Sequence, residues 1–179
     1  MKGPEVHRWL KRRFIPLIAE HGFEAVKPFR PVPLRRQEPR GVITLGYSIG
    51  KSGNRPPVGN AIRLEGNARG QSKHLGDFWG HLSENLLPPS LLAKLRAIGR
   101  ESIETVLAAK AETEWQEIEL HAARPLLINE LDRTSSSQTY TPPFQYHDAD
   151  DLEKWCRVIR PHIHECIEAL QNRLLQSDA

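Results

Sequence analysis

The alternation within residues 42–64 constrains this chain more than any other feature. Ile43, Leu45, Tyr47 and Ile49 alternate with Thr44, Gly46 and Ser48, the period of two expected of a strand buried on one face. Val58, Ile62 and Leu64 share one parity, with Arg63 and Glu65 on the other. The residues between are Gly, Ser, Asn and Pro. Two such runs joined by such a loop predict a hairpin, with its turn at Gly50–Asn54.

The same stretch imitates a phosphate-binding loop. Gly46 is followed by three residues and then Gly50-Lys51-Ser52. A true phosphate loop is Gly-x-x-x-x-Gly-Lys-Ser/Thr, so the first glycine is one residue too close. The loop must also open a helix whose first amides face the phosphate. Gly53-Asn54-Arg55-Pro56-Pro57 follows instead and stops a helix from starting. The stretch is read as a turn, not a nucleotide site.

Around this hairpin the pattern is helical. Val6, Trp9, Leu10, Phe14, Leu17 and Ile18 recur at three- and four-residue spacing, which predicts an amphipathic helix over 4–20. Pro16 is expected to kink it. Gly22 suits a left-handed cap, with Phe23 folding back over the last turn. Prolines 28, 31, 33 and 39 make residues 24–40 extended, an irregular edge strand or two. Residues 66–87 read as a glycine-rich loop with a short helix near its end.

Pro88-Pro89-Ser90 opens a helix with Leu91, Leu92, Leu95, Ile98, Ile103, Val106 and Leu107 as its stripe, weakened or divided at Gly99. Residues 112–124 suit a helix through Trp115, Ile118 and Ala122 or a strand through Ile118 and Leu120; of the two, helix is preferred, and Pro125 ends the element. The serines at 135–137 and Thr141-Pro142-Pro143 predict a long exposed connection. The final helix is capped by Asp148 or Asp150. Its stripe is Leu152, Trp155, Cys156, Ile159, Ile163, Ile167, Leu170 and Leu174, with a kink at Pro161.

These elements predict an α+β chain. An N-terminal helix packs on a small antiparallel sheet at about residues 24–66, and a mostly helical half follows. At 179 residues, with 39% hydrophobic and 26% charged side chains, one globular domain over 1–179 is expected. No run approaches the roughly 20 apolar residues of a membrane helix, so no membrane partner is expected. Phe14–Ala19 is too short for the apolar core of a signal peptide. Cys156 and Cys166, ten residues apart on one helix, are too far apart to pair. Free thiols and the missing signal point to the cytoplasm.

The charge is divided. Residues 1–73 carry 15 Lys and Arg against 5 Asp and Glu, a net +10, and residues 74–179 carry 10 against 17, a net −7. The basic half would offer an anion Arg8, Lys11, Arg12, Arg30, Arg35, Arg36, Arg40 and Arg63. Phe29 and Tyr47 lie near enough in sequence to stack on bases. Tyr47 also shares the parity of Ile43 and Leu45, which makes it a core residue.

The order of helix, Gly22-Phe23 corner, basic extended segment, alternating strand through Leu45-Gly46, then helices is similar to a group of uncharacterised small bacterial α+β domains. The resemblance implies a helix packed on an antiparallel sheet. It implies no site residue.

Few constellations carry chemistry. His74, Asp77 and His81, at offsets of three and seven, would share one helix face as two imidazoles and a carboxylate for iron or zinc. Gly76 and Gly80 oppose that helix at about 1 kcal/mol each. His162 and Cys166 could offer two zinc ligands, although Cys166 also flanks the apolar stripe as a structural thiol would. No serine elbow or zinc-protease motif occurs. The sequence is therefore read as a binding protein rather than an enzyme, with no cofactor. Its first reading is a protein–protein interaction module, a regulator or neutraliser in the manner of bacterial immunity proteins. The second is a nucleic-acid binder using the basic half. The third is a metal-dependent enzyme using His74, Asp77 and His81.

Overall fold

The structure is a computed structural model and describes residues 1, 3–25, 34–52, 59–70, 87–112, 117–132 and 142–176, with backbone alone at 51, 52, 59 and 60. Helix α1 spans Gly3–Ala19. Val6, Leu10, Phe14 and Ile18, four apart, form its buried ridge. At about 1.5–3 kcal/mol for each fully buried apolar side chain, that ridge fixes the helix to the sheet. Pro16 is exposed and the helix runs through it. Gly22 then adopts φ +80°, its amide bonds to Ala19 O at 2.9 Å, and Phe23 turns into the core as the cap pattern predicts.

Strands β1 (Glu24–Ala25), β2 (Leu34–Glu38), β3 (Gly41–Ser52), β4 (Gly59–Gly70) and β5 (Phe144–Tyr146) form an antiparallel sheet in the order β1-β2-β3-β4-β5. The expected hairpin is β3 and β4, in register from Gly41↔Gly70 to Ser52↔Gly59. The strand continues through Gly50, Lys51 and Ser52, so the turn begins later than Gly50 and no helix starts at Lys51. The rest of the expected turn lies outside the described residues. So does the short helix expected near residue 87.

The register sorts the side chains. Leu34, Ile43, Leu45, Tyr47, Ile62, Leu64, Phe144 and Tyr146 share one face and belong to the main core. Arg35, Thr44, Ser48, Ala61, Arg63, Glu65, Asn67 and Gln145 share the other. That second face is not simply solvated, since Ala61, Glu65 and Gln145 are buried.

Helix α2 spans Pro89–Ala111 without a break. Gly99 does not divide it. A Cβ there would sit 2.6 Å from Leu131 Cδ1, so the glycine admits a neighbouring helix at close range. That neighbour is α3, Glu117–Asp132, and the expected helix therefore outlasts Pro125. Proline removes one N–H and frees the carbonyl of His121, but both residues are exposed and water can satisfy that oxygen. Ile103, Leu107, Ala123, Leu127 and Leu131 form a small core between α2 and α3.

The expected exposed connection is also corrected at its end. Pro142 and Pro143 are buried and lead into β5, which pairs with Asn60–Ile62 of β4. The sheet therefore reaches beyond residue 66 and gains a strand from the second half of the chain. Ser102 of α2 donates to the carbonyl of Gln145, which satisfies an acceptor on this edge strand.

Asp148 caps α4 (Ala149–Ile159) by accepting from Asp150 N at 2.9 Å and Asp151 N at 3.1 Å. A single 3-10 turn, Arg160–His162, holds Pro161 and separates α4 from α5 (Ile163–Gln176). The whole expected stripe from Leu152 to Leu174 is buried against the sheet and α1. No helix among the described residues is long and apolar enough to cross a membrane.

Candidate interaction surfaces

The cations of α1 follow from its amphipathic spacing. With Val6, Leu10, Phe14 and Ile18 turned inward, Arg8, Lys11 and Arg12 occupy roughly a 100° arc of the outer surface. They are exposed, as is Arg13 on the flank. Among the described residues, none of the four side chains has an ion pair or hydrogen bond. The ridge from Arg8 to Arg12 is about 6 Å long at 1.5 Å per residue.

The sheet arginines divide by parity. Arg36 lies on the core side and serves the fold. Its Nε donates to Glu38 Oε1 at 2.7 Å and its Nη1 to His21 O at 2.9 Å, while the guanidinium stands 5.2 Å from the Phe23 ring centre. Glu38 also accepts from Gln171 of α5 at 3.2 Å. Arg36 thus ties β2 to the cap of α1 and, through Glu38, to α5. Arg63 lies on the opposite face and pairs with Glu130 of α3 at 2.6 Å. Arg35 is exposed on that same second face, and Arg40 is exposed in the β2–β3 turn. Arg30 lies outside the described residues, as do Phe29 and the Pro28–Pro33 segment. Of the seven described, Arg8, Lys11 and Arg12 stand together on α1, Arg35 and Arg40 are exposed elsewhere, and Arg36 and Arg63 are engaged.

Tyr47 is a core side chain. Burial pushes its hydroxyl from 10.0 up to about 12, and the oxygen lies 3.3 Å from His7 Nδ1. It cannot serve as a stacking platform.

The sequence reading missed the outer side of α3. Ala123, Leu127 and Leu131 turn inward, with Leu120 half-buried beside them. Ile118, Ala122, Pro125 and Leu126 recur at i, i+4, i+7 and i+8 on the side facing solvent. Ile118 is 77% exposed and Leu126 55%. Two ion pairs to α2 border this stripe. Arg124 reaches Glu104 at 3.0 and 2.8 Å, and Arg100 reaches Asp132 at 2.6 and 2.8 Å. The signal was present in the sequence. Residues 118–131 hold more apolar side chains than one helical stripe accounts for.

The two cysteines and His162 of the C-terminal half serve packing. Burial, then the charge of Glu165, pushes the Cys166 thiol from 9.0 up to about 12. Burial, then Glu153, does the same for Cys156. Neither thiol is set up as a nucleophilic thiolate near neutral pH. His162 is buried and held at both nitrogens. Lys94 of α2 donates to Nε2 at 3.1 Å, which leaves Nδ1–H to donate to Glu165 at 3.3 Å. His162 and Cys166 therefore do not present two open zinc ligands. His74, Asp77 and His81 lie outside the described residues, among which no group of three His, Cys, Asp or Glu side chains could hold a metal.

No protein-family model, curated protein or solved structure matches this chain.

Proposed function

We propose that this protein is a non-catalytic binding module that acts by contact with another protein, as a regulator or neutraliser of that partner. The two-sided apolar character of α3 carries this reading. A helix apolar on both sides is normally buried on both. Here the inner side has its partners in α2, and the outer side exposes Ile118 and Leu126. An apolar stripe with a charged border is the usual anatomy of a protein contact, where a dry centre supplies most of the affinity.

The test is affinity capture from the native cell with the wild type, Ile118→Glu and Leu126→Glu. A protein recovered by the wild type and lost by both variants is expected. Equal recovery by all three would remove the reading. The nucleic-acid alternative has in its favour the cations of α1, which have no partner among the described residues. It requires DNA or RNA binding that weakens steeply with salt, because phosphate contacts release counterions.

A further inference from the structure

We propose that the cationic ridge of α1 is a second docking surface, and that it takes a carboxylate-rich segment of the protein partner. The inference rests on the binding-module reading above. Its own support is independent of α3.

Among the described residues the ridge has no partner within the fold. Arg36, Arg63, Arg100 and Arg124 each have a carboxylate within 2.8 Å. Arg8, Lys11, Arg12 and Arg13 have none among the described residues. Their placement also works against the helix. Arg8 and Arg12 are a like-charge pair at i, i+4, and Arg8 and Lys11 at i, i+3, which destabilises a helix. The last turn of α1, where the helix dipole favours cations, holds no basic residue. A solvated face evolved for solubility alone has no need to gather its cations here.

The extent of the ridge decides the class of partner. Three cations carried on about 6 Å of helix axis face two or three carboxylates on one turn or short strand of a protein, which arginine can grip in bidentate fashion. A nucleic-acid strand needs a basic track that follows successive phosphates. Among the described residues no such track continues from the ridge. Arg35 sits on the far face of the sheet, while Arg36 and Arg63 are already paired. Charge complementarity therefore favours an acidic protein segment.

The experiment measures fluorescence anisotropy of a labelled glutamate-rich peptide, with labelled oligothymidine as comparator. The proteins are the wild type, the charge reversal Arg8→Glu/Lys11→Glu/Arg12→Glu, the neutral Arg8→Gln/Lys11→Gln/Arg12→Gln, and Leu126→Glu. All altered positions are exposed, and circular dichroism checks that each protein is folded. Peptide affinity should fall about tenfold or more in the reversal, less in the neutral variant, and not at all in Leu126→Glu. Equal peptide binding by the wild type and the reversal would overturn the proposal. So would tighter binding of oligothymidine that the reversal abolishes, since the ridge would then serve nucleic acid. The capture assay separates the two claims. A partner lost by Leu126→Glu but kept by the ridge reversal sinks the ridge and leaves the module reading standing. A partner kept by every variant sinks both.

Discussion

Leu126 and Leu127 are neighbours in the chain and opposites in the fold. Leu127 is 1% exposed and packs with Ile103, Leu107, Ala123 and Leu131; Leu126 is 55% exposed. Truncating each to alanine tests the two-sided account of α3 directly. A buried Leu→Ala change loses its transfer free energy and leaves a cavity, at a total cost of about 2–5 kcal/mol. The cluster around Leu127 is small and lies between two helices that can close partway, so the lower part of that range, about 2–3 kcal/mol, is expected. Leu126→Ala gives up a side chain that is already mostly in water, and should change stability by no more than about 0.5 kcal/mol. Urea unfolding followed by circular dichroism measures both, with the slope checked for constancy so that midpoints compare. A Leu126→Ala cost approaching that of Leu127→Ala would refute the reasoning. The outer side of α3 would then be covered in the free protein, and the binding proposal would lose the observation that carries it.

Gly99→Ala should fail to deliver the gain of about 1 kcal/mol that glycine-to-alanine gives in a helix, because the new Cβ meets Leu131. Combined with Leu131→Ala the gain should reappear, and a double-mutant cycle in urea would expose that coupling. The protein should also lose stability in alkali. Burial holds Cys156 and Cys166 at about 12 against an ordinary 9.0, and Tyr47 and Tyr146 at about 12 against 10.0. The unfolded chain therefore sheds these protons first, from about pH 9, and their stabilising contribution falls away between pH 9 and 12. Urea midpoints that stay level across that window would contradict the burial assigned to these groups.

Much of the architecture was legible because it is local. Gly22 and Phe23 could be read as a cap, Asp148 as another, and the stripe from Leu152 to Leu174 as one buried face, since caps and periodic stripes depend on residues a turn apart. The same logic misled at Pro125, Gly99 and Pro142. Proline at an exposed position leaves a carbonyl that water satisfies, so α3 continues. Gly99 reads as a weak helix position until Leu131 is placed against it. Nothing near Pro142 announces that Phe144–Tyr146 will pair with β4, some 80 residues earlier in the chain.

The candidate surfaces divide in the same way. The sequence by itself determined that Arg8, Lys11 and Arg12 share a face turned from the core, because helical period fixes which side chains can be buried together. It could not distinguish Arg35 from Arg36, adjacent and chemically identical. Strand parity sends one to solvent and the other into a network joining His21, Phe23, Glu38 and Gln171. Nor could it say which side of α3 would find a partner, since both sides are apolar. That was settled by where α2 lies, and packing between elements far apart in sequence has no signature in the residues of either one alone.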